Sequence, residues 1–207
     1  IAKQVRFKNL AYAIIDEQHR FGVMQRSKLV RKERRAPHLL SMTATPIPRT
    51  LALTIYGDLD LTLLDELPPG RQPIITEIIT EDKRGQAYAK IREEVRAGHR
   101  CYVICPRIDL PDPAKALAFY AKSAKQEARR LQEEIFPEFA VGLVHSKLKP
   151  KDKEAVMSDF TRGKIQILVA TSVVEVGVNV PQATVIMIEG AERFGLAQLH
   201  QLRGRVW

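Results

Sequence analysis

The sequence predicts an α/β fold of parallel strands with helices on both sheet faces. Short apolar runs alternate regularly with amphipathic stretches over residues 74–188. Those runs are almost continuously apolar, as in strands buried on both faces, rather than alternating apolar with polar. The alternation of strand and helix then implies βαβ crossovers. One segment breaks the pattern. Leu67-Pro68-Pro69-Gly70-Arg71-Gln72-Pro73 holds three prolines in seven residues and has no periodicity, the composition of a stiff connector. The expected organisation is therefore a partial first domain over residues 1–67, a connector over 68–73 and a nearly complete second domain over 74–207.

In the first domain, Ala11-Tyr12-Ala13-Ile14-Ile15 and His38-Leu39-Leu40-Ser41-Met42 are predicted as buried parallel strands. A basic stretch, Arg20 to Arg35, lies between them, and the early prolines of Pro46-Ile47-Pro48 suit a helix start. The second domain is predicted to run strand Thr76–Thr80, helix Lys83–Ala97, strand Cys101–Cys105 and helix Ser123–Glu134. Strand Val141–Val144, helix Lys151–Thr161, strand Ile165–Ala170 and strand Thr184–Ile188 follow. Cys101 and Cys105 are four apart in one strand, so both thiols fall on one face. Core packing accounts for them, because no second Cys or His cluster completes a zinc site.

Composition narrows the function class. The chain is 45% hydrophobic and 28% charged, a globular balance, and no run approaches the roughly 20 apolar residues of a membrane span. The first residues lack a signal-peptide pattern, so a cytoplasmic protein with no membrane partner is expected. Thirty-three Lys and Arg against 24 Asp and Glu leave a net charge of +9, which favours polyanions such as nucleic acid. A solvated basic face has the same composition, so motifs must decide.

Ligands of open parallel sheets bind at the carboxyl ends of the strands, and Asp16-Glu17-Gln18-His19 sits at such an end. There an Asp can hold Mg²⁺ through water while a neighbouring Glu orients or deprotonates an attacking water, the division of labour in a Walker B site. Two carboxylates ending a strand also occur without function. The wording around them discriminates. Asp16-Glu17-Gln18-His19-Arg20-Phe21-Gly22-Val23, followed by Thr43-Ala44-Thr45-Pro46-Ile47-Pro48-Arg49-Thr50-Leu51, resembles motifs II and III of the RecG family of superfamily 2 DNA helicases. Val144-His145, Ala170-Thr171, Glu175-Val176-Gly177-Val178 and Glu192 to Arg205 fall in the order of that family's later motifs. The transcription-repair coupling translocase shares much of this wording but usually has Glu where Gln18 stands. Tyr56-Gly57-Asp58-Leu59-Asp60 and Glu66 to Arg71 also look like RecG.

The resemblance implies RecA-like motor domains and an ATP-dependent, Mg²⁺-requiring DNA translocase. As a whole protein it would remodel stalled forks and recombination junctions by branch migration, acting on forked or branched DNA as a monomeric motor. Residue by residue, it makes Asp16 the Mg²⁺-associated carboxylate, Glu17 the water-activating base and His19 a link between the nucleotide and the second domain. Thr43 and Thr45 become couplers, although Thr45 is equally suited to capping the helix near Pro46. Arg205 suits an arginine finger acting on the γ-phosphoryl group, with Gln201 helping to position water or phosphate. A surface salt bridge is the plainer use of such an Arg. Thr171, ending its strand, meets a DNA phosphate without reading a base. Glu175, Gly177 and Asn179 follow the motif V spacing and face the nucleotide or couple to it. Gly177 is also compatible with a plain turn.

Three departures stand out. Asn179 replaces a common Asp, His145-Ser146-Lys147 replaces a more usual His-Gly pattern, and Trp207 falls where motif VI expects Gly. No Gly-x-x-x-x-Gly-Lys-Ser/Thr loop occurs in the 207 residues. The expectation is therefore a motor fragment that does not hydrolyse ATP alone, the competing class being a DNA-binding module with a degenerate cleft.

Overall fold

The computed structural model describes residues 9–16, 37–43, 60–64, 66, 72–106, 123–171 and 180–206. The chain divides into two compact units, Ile1–Leu63 and Leu64–Trp207. Of the expected connector, the described part is Gln72 and Pro73, both exposed.

In the first unit, β1 (Tyr12–Ile15) and β2 (His38–Ser41) pair in parallel, with Ile15 opposite Ser41. The hydrogen bond from Met42 N to Ile15 O, 2.8 Å, extends the ladder to the strand ends. The crossover between them, the basic stretch included, lies outside the described residues.

The second unit runs α1 (Arg84–Arg96), β3 (Arg100–Ile104), α2 (Ala124–Arg130), β4 (Val141–Val144), α3 (Pro150–Thr161), β5 (Ile167–Ala170), β6 (Ala183–Ile188) and α4 (Leu196–Arg203). Its four strands are all parallel, in the order β4-β5-β3-β6. The period-two alternation of β3 divides the core into two layers. Cys101 and Val103, with Ile167 and Val169 of β5, pack against Tyr88, Ile91 and Val95 of α1 and against Ala124 and Leu131. Tyr102 and Ile104, with Leu168 and Ala170, pack against Phe160 of α3 and Leu202 of α4. Helices cover both faces, the expected α/β architecture. Cys101 and Cys105 share one face and are fully buried.

Local chemistry explains the boundaries. Tyr88, Ile91 and Val95 recur at helical spacing and give α1 its buried stripe. Pro150 occupies the first turn of α3, where its missing N–H costs nothing. Two helices end on left-handed glycines, Gly98 (φ 93°) and Gly163 (φ 81°). Behind them His99 N bonds Glu94 O at 3.0 Å and Lys164 N bonds Asp159 O at 2.9 Å, the Schellman closure. Each turn delivers the chain directly into the next strand.

Three expectations need correction. The first-unit strands pair in parallel but are not buried: Tyr12, Ile14 and Leu40 are 52%, 58% and 41% exposed, and only Ile15 is buried. Thr76–Thr80 is not a strand: residues 72–80 have no ladder partner among the described residues, and Ile75 and Ile78 are 85% and 95% exposed. An apolar run becomes a strand only where a neighbour takes its backbone hydrogen bonds. This segment is instead tied by side chains, through a Lys90–Glu77 ion pair and a hydrogen bond from Arg203 to the carbonyl of Ile74. The helix expected over Ser123–Glu134 changes pitch at Leu131, continuing as a π-turn to Ile135.

Candidate nucleotide and nucleic-acid site

All strands of each sheet are parallel, so their carboxyl ends come out along one edge, where open α/β sheets bind ligands. In the first unit that edge carries Asp16 and Thr43. Asp16 follows β1 directly, Thr43 lies two residues beyond β2, and both are exposed. A hard carboxylate oxygen at an exposed strand end fits a water-held Mg²⁺. Among the described residues no group of three or more His, Cys, Asp and Glu side chains forms a closed metal site.

The second unit's edge is unusually polar for a core boundary. His145 follows β4, Thr171 follows β5 and Glu189 follows β6, all buried, with the buried Cys105 following β3. Thr171 N bonds Val144 O at 3.3 Å, linking the ends of two strands, while its buried hydroxyl has no hydrogen-bond partner. Such a group is costly unless something else uses it. Glu189 is ion-paired with Arg84.

The same strand that ends in Glu189 leads to Gln201 and Arg205. Gly190 adopts the left-handed region (φ 61°), a 3-10 turn spans Ala191–Arg193, and Phe194 plugs the core. Helix α4 then runs to Arg203, with Leu202 wholly buried and Gln201 half-buried. Arg205 N bonds Leu202 O at 3.0 Å; burial raises the Tyr102 phenol, and the positive charges of Arg205 and Arg100 offset part of that rise.

Residues 85–207 match the helicase conserved C-terminal domain. The chain belongs to that helicase family. Its relatives of the RecG type match it from end to end: ATP-dependent DNA helicase RecG of Synechocystis is 54% identical over the whole chain and RecG of Aquifex aeolicus 52%. RecG of Escherichia coli O157:H7 is 49% identical over 99% of it. The chain spans about a quarter of the length of these curated relatives, 24% to 29%. A solved RecG bound to a three-way DNA junction matches 98% of the chain and 25% of its own length, with a TM-score of 0.65 at 44% identity. Saccharomyces cerevisiae Dbp5, at 13% identity and a TM-score of 0.60, shares the fold. The RecG-type helicase resemblance and the RecA-like fold therefore hold.

Within this helicase family, the described residues place Asp16 with Thr43, Thr171 with the second unit's polar strand ends, and Gln201 with Arg205 on and just beyond α4. Glu17, His19, Thr45, Glu175, Gly177 and Asn179, with Trp207, lie outside the described residues. Sequence reading passed over Glu189 and Arg84. Glu189 carries the signal that singled out Asp16, a carboxylate directly after an apolar run and before a turn. Arg84 carries no comparable signal.

Proposed function

We propose that the chain is the motif II to motif VI part of an ATP-driven DNA translocase that remodels forked and branched DNA by branch migration. The observation that carries this is the end-to-end similarity to RecG-type DNA helicases. The solved relative held on a three-way junction supports branched DNA as the substrate class. A cytoplasmic, monomeric motor fits the composition and the family.

Asp16, at the exposed end of β1, would hold Mg²⁺, which would supply neutralising charge to the nucleotide's phosphates. Glu17 orients and deprotonates the attacking water, and His19 with Thr43 and Thr45 couples the nucleotide's state to movement. Arg205 stabilises charge developing on the γ-phosphoryl group, with Gln201 beside it. Glu175, Gly177 and Asn179 serve the nucleotide or the coupling. Thr171 offers its hydroxyl to a DNA phosphate, a contact that positions the strand and carries no base information. Its place directly after β5, at the carboxyl edge of the parallel sheet, supports that role.

The test is ATP turnover by the longer protein containing this chain, with and without three-way-junction DNA. Stimulation by junction DNA is expected, and Glu17→Gln should remove it while leaving DNA binding within a few-fold. Absent stimulation, or a Glu17→Gln protein that turns over normally, sinks the reading.

A further inference from the structure

Five side chains with no place in the chemistry above form a continuous polar chain behind β6. Glu127 of α2, 1% exposed, is held by Arg130 through two hydrogen bonds of 2.6 and 3.0 Å. Arg130 also donates to the hydroxyl of Tyr88 on α1 at 2.5 Å. That hydroxyl accepts a second bond, from Arg84 Nε at 2.7 Å, and Arg84 forms the ion pair with Glu189. Among the described contacts the two guanidinium groups and two carboxylates balance in charge.

Stability alone does not call for this arrangement. Apolar residues of similar volume commonly replace a buried ion pair without loss, whereas a paired network fixes geometry. Its end is informative: Glu189 is the last residue before the left-handed Gly190 and the tight turn leading into α4. The network therefore grips the root of the segment that carries Gln201 and Arg205. It also ties that root to α1 and α2, on the opposite face of the sheet from α4.

We propose that Arg84 is a positioning residue for Arg205. By holding Glu189 it fixes the turn that aims α4, and Tyr88, Arg130 and Glu127 hold Arg84 in turn. The proposal rests on the reading that Arg205 acts in ATP hydrolysis, and its test separates the two.

In the longer protein, Arg84→Met/Glu189→Leu removes the pair without leaving one buried charge alone, and Tyr88→Phe cuts the relay with minimal change of volume. Amide hydrogen exchange and junction-stimulated ATP turnover are measured on each. Exchange over residues 190–205 should quicken while β3 and β5 keep their protection. The turnover number should fall at least about tenfold for the double variant with KM for ATP within about twofold, the mark of an interaction used in the transition state rather than in binding. Tyr88→Phe should shift both readouts the same way by less, and Arg84→Lys, which keeps the charge facing Glu189, should recover part of the turnover.

Unchanged exchange over 190–205, or altered exchange with a wild-type turnover number, overturns the proposal. Equal acceleration in β3 and β5 also overturns it, since that marks general destabilisation. A wild-type protein without junction-stimulated turnover signals instead that the functional reading has failed, and the positioning role falls with it.

Discussion

Cys101 and Tyr102 are neighbours on β3, face opposite layers of the core, and respond to burial in the same direction. Desolvation pushes the Cys101 thiol up to about 12. It does the same to the Tyr102 phenol, also to about 12, against the opposing charges of Arg205 and Arg100. The thiolate is the reactive form of cysteine, so at pH 8 only about one thiol in ten thousand is competent in the folded chain. Cys101 should give no reaction with a thiol reagent such as Ellman's until denaturant is added, and stoichiometric labelling of the native chain would contradict its burial. Both groups bind their protons more tightly folded than unfolded. Their contribution to stability is therefore complete below about pH 9 and is lost as pH rises toward 12. The urea midpoint should decline progressively above pH 9, and Cys101→Val should flatten the first part of that decline. A midpoint constant from pH 8 to pH 11 would refute the assignment.

At the scale of elements, the starts and close approaches decide how strands and helices are held. Ser123 caps α2 by accepting a hydrogen bond from Gln126 N at 3.1 Å, so Ser123→Ala should cost about 1 kcal/mol in urea unfolding. A methyl group on Gly142 of β4 would lie 2.9 Å from Ile165 Cδ1 and 3.0 Å from its Cγ2. Gly142→Ala should therefore destabilise by about 1–3 kcal/mol, and adding Ile165→Val, which removes the nearer atom, should recover part of it. Equal stability of the single and double variants would show that Ile165 simply moves aside. These elements were also the most legible part of the sequence. Runs such as Cys101–Cys105 and Val141–Val144 carry no polar side chain except the Tyr102 hydroxyl and the two thiols, because each strand is covered on both faces. Thr76–Thr80, Thr-Glu-Ile-Ile-Thr, is β-prone but only partly apolar, and its fate depends on a neighbouring ladder that no local pattern reports. The π-turn after Arg130 was hidden for a related reason. Pro137 marks where the helix must stop, but no residue type marks the change of pitch at Leu131, where Phe136 N closes the wider turn on Leu131 O. Within the candidate site, Asp16, Thr43 and Thr171 were legible as polar residues ending strands. The relay from Glu127 to Glu189 was not, since its partners are distant in sequence and only the fold joins them.

For the molecule as a whole, the net charge of +9 favours phosphate contacts without base readout. DNA affinity of the longer protein should therefore fall steeply with salt and be indifferent to sequence at fixed junction shape, and a salt-insensitive or sequence-selective titration would contradict this. Arg205 offers the sharper test, because its two possible roles differ greatly in size. An exposed salt bridge contributes about 0–1 kcal/mol to stability and leaves chemistry untouched, whereas loss of an arginine finger lowers turnover by roughly 10³-fold or more. Arg129 supplies the internal comparison, since it makes an exposed i,i+4 pair with Glu133 at 2.9 Å and lies far from α4 in sequence. In the longer protein, Arg205→Ala should nearly abolish junction-stimulated ATP turnover and fork unwinding while DNA binding stays within a few-fold. Arg129→Ala should spare all three. An Arg205→Ala protein that is folded and still unwinds forks within about tenfold of wild type would leave Arg205 as an ordinary surface cation and exclude the finger role.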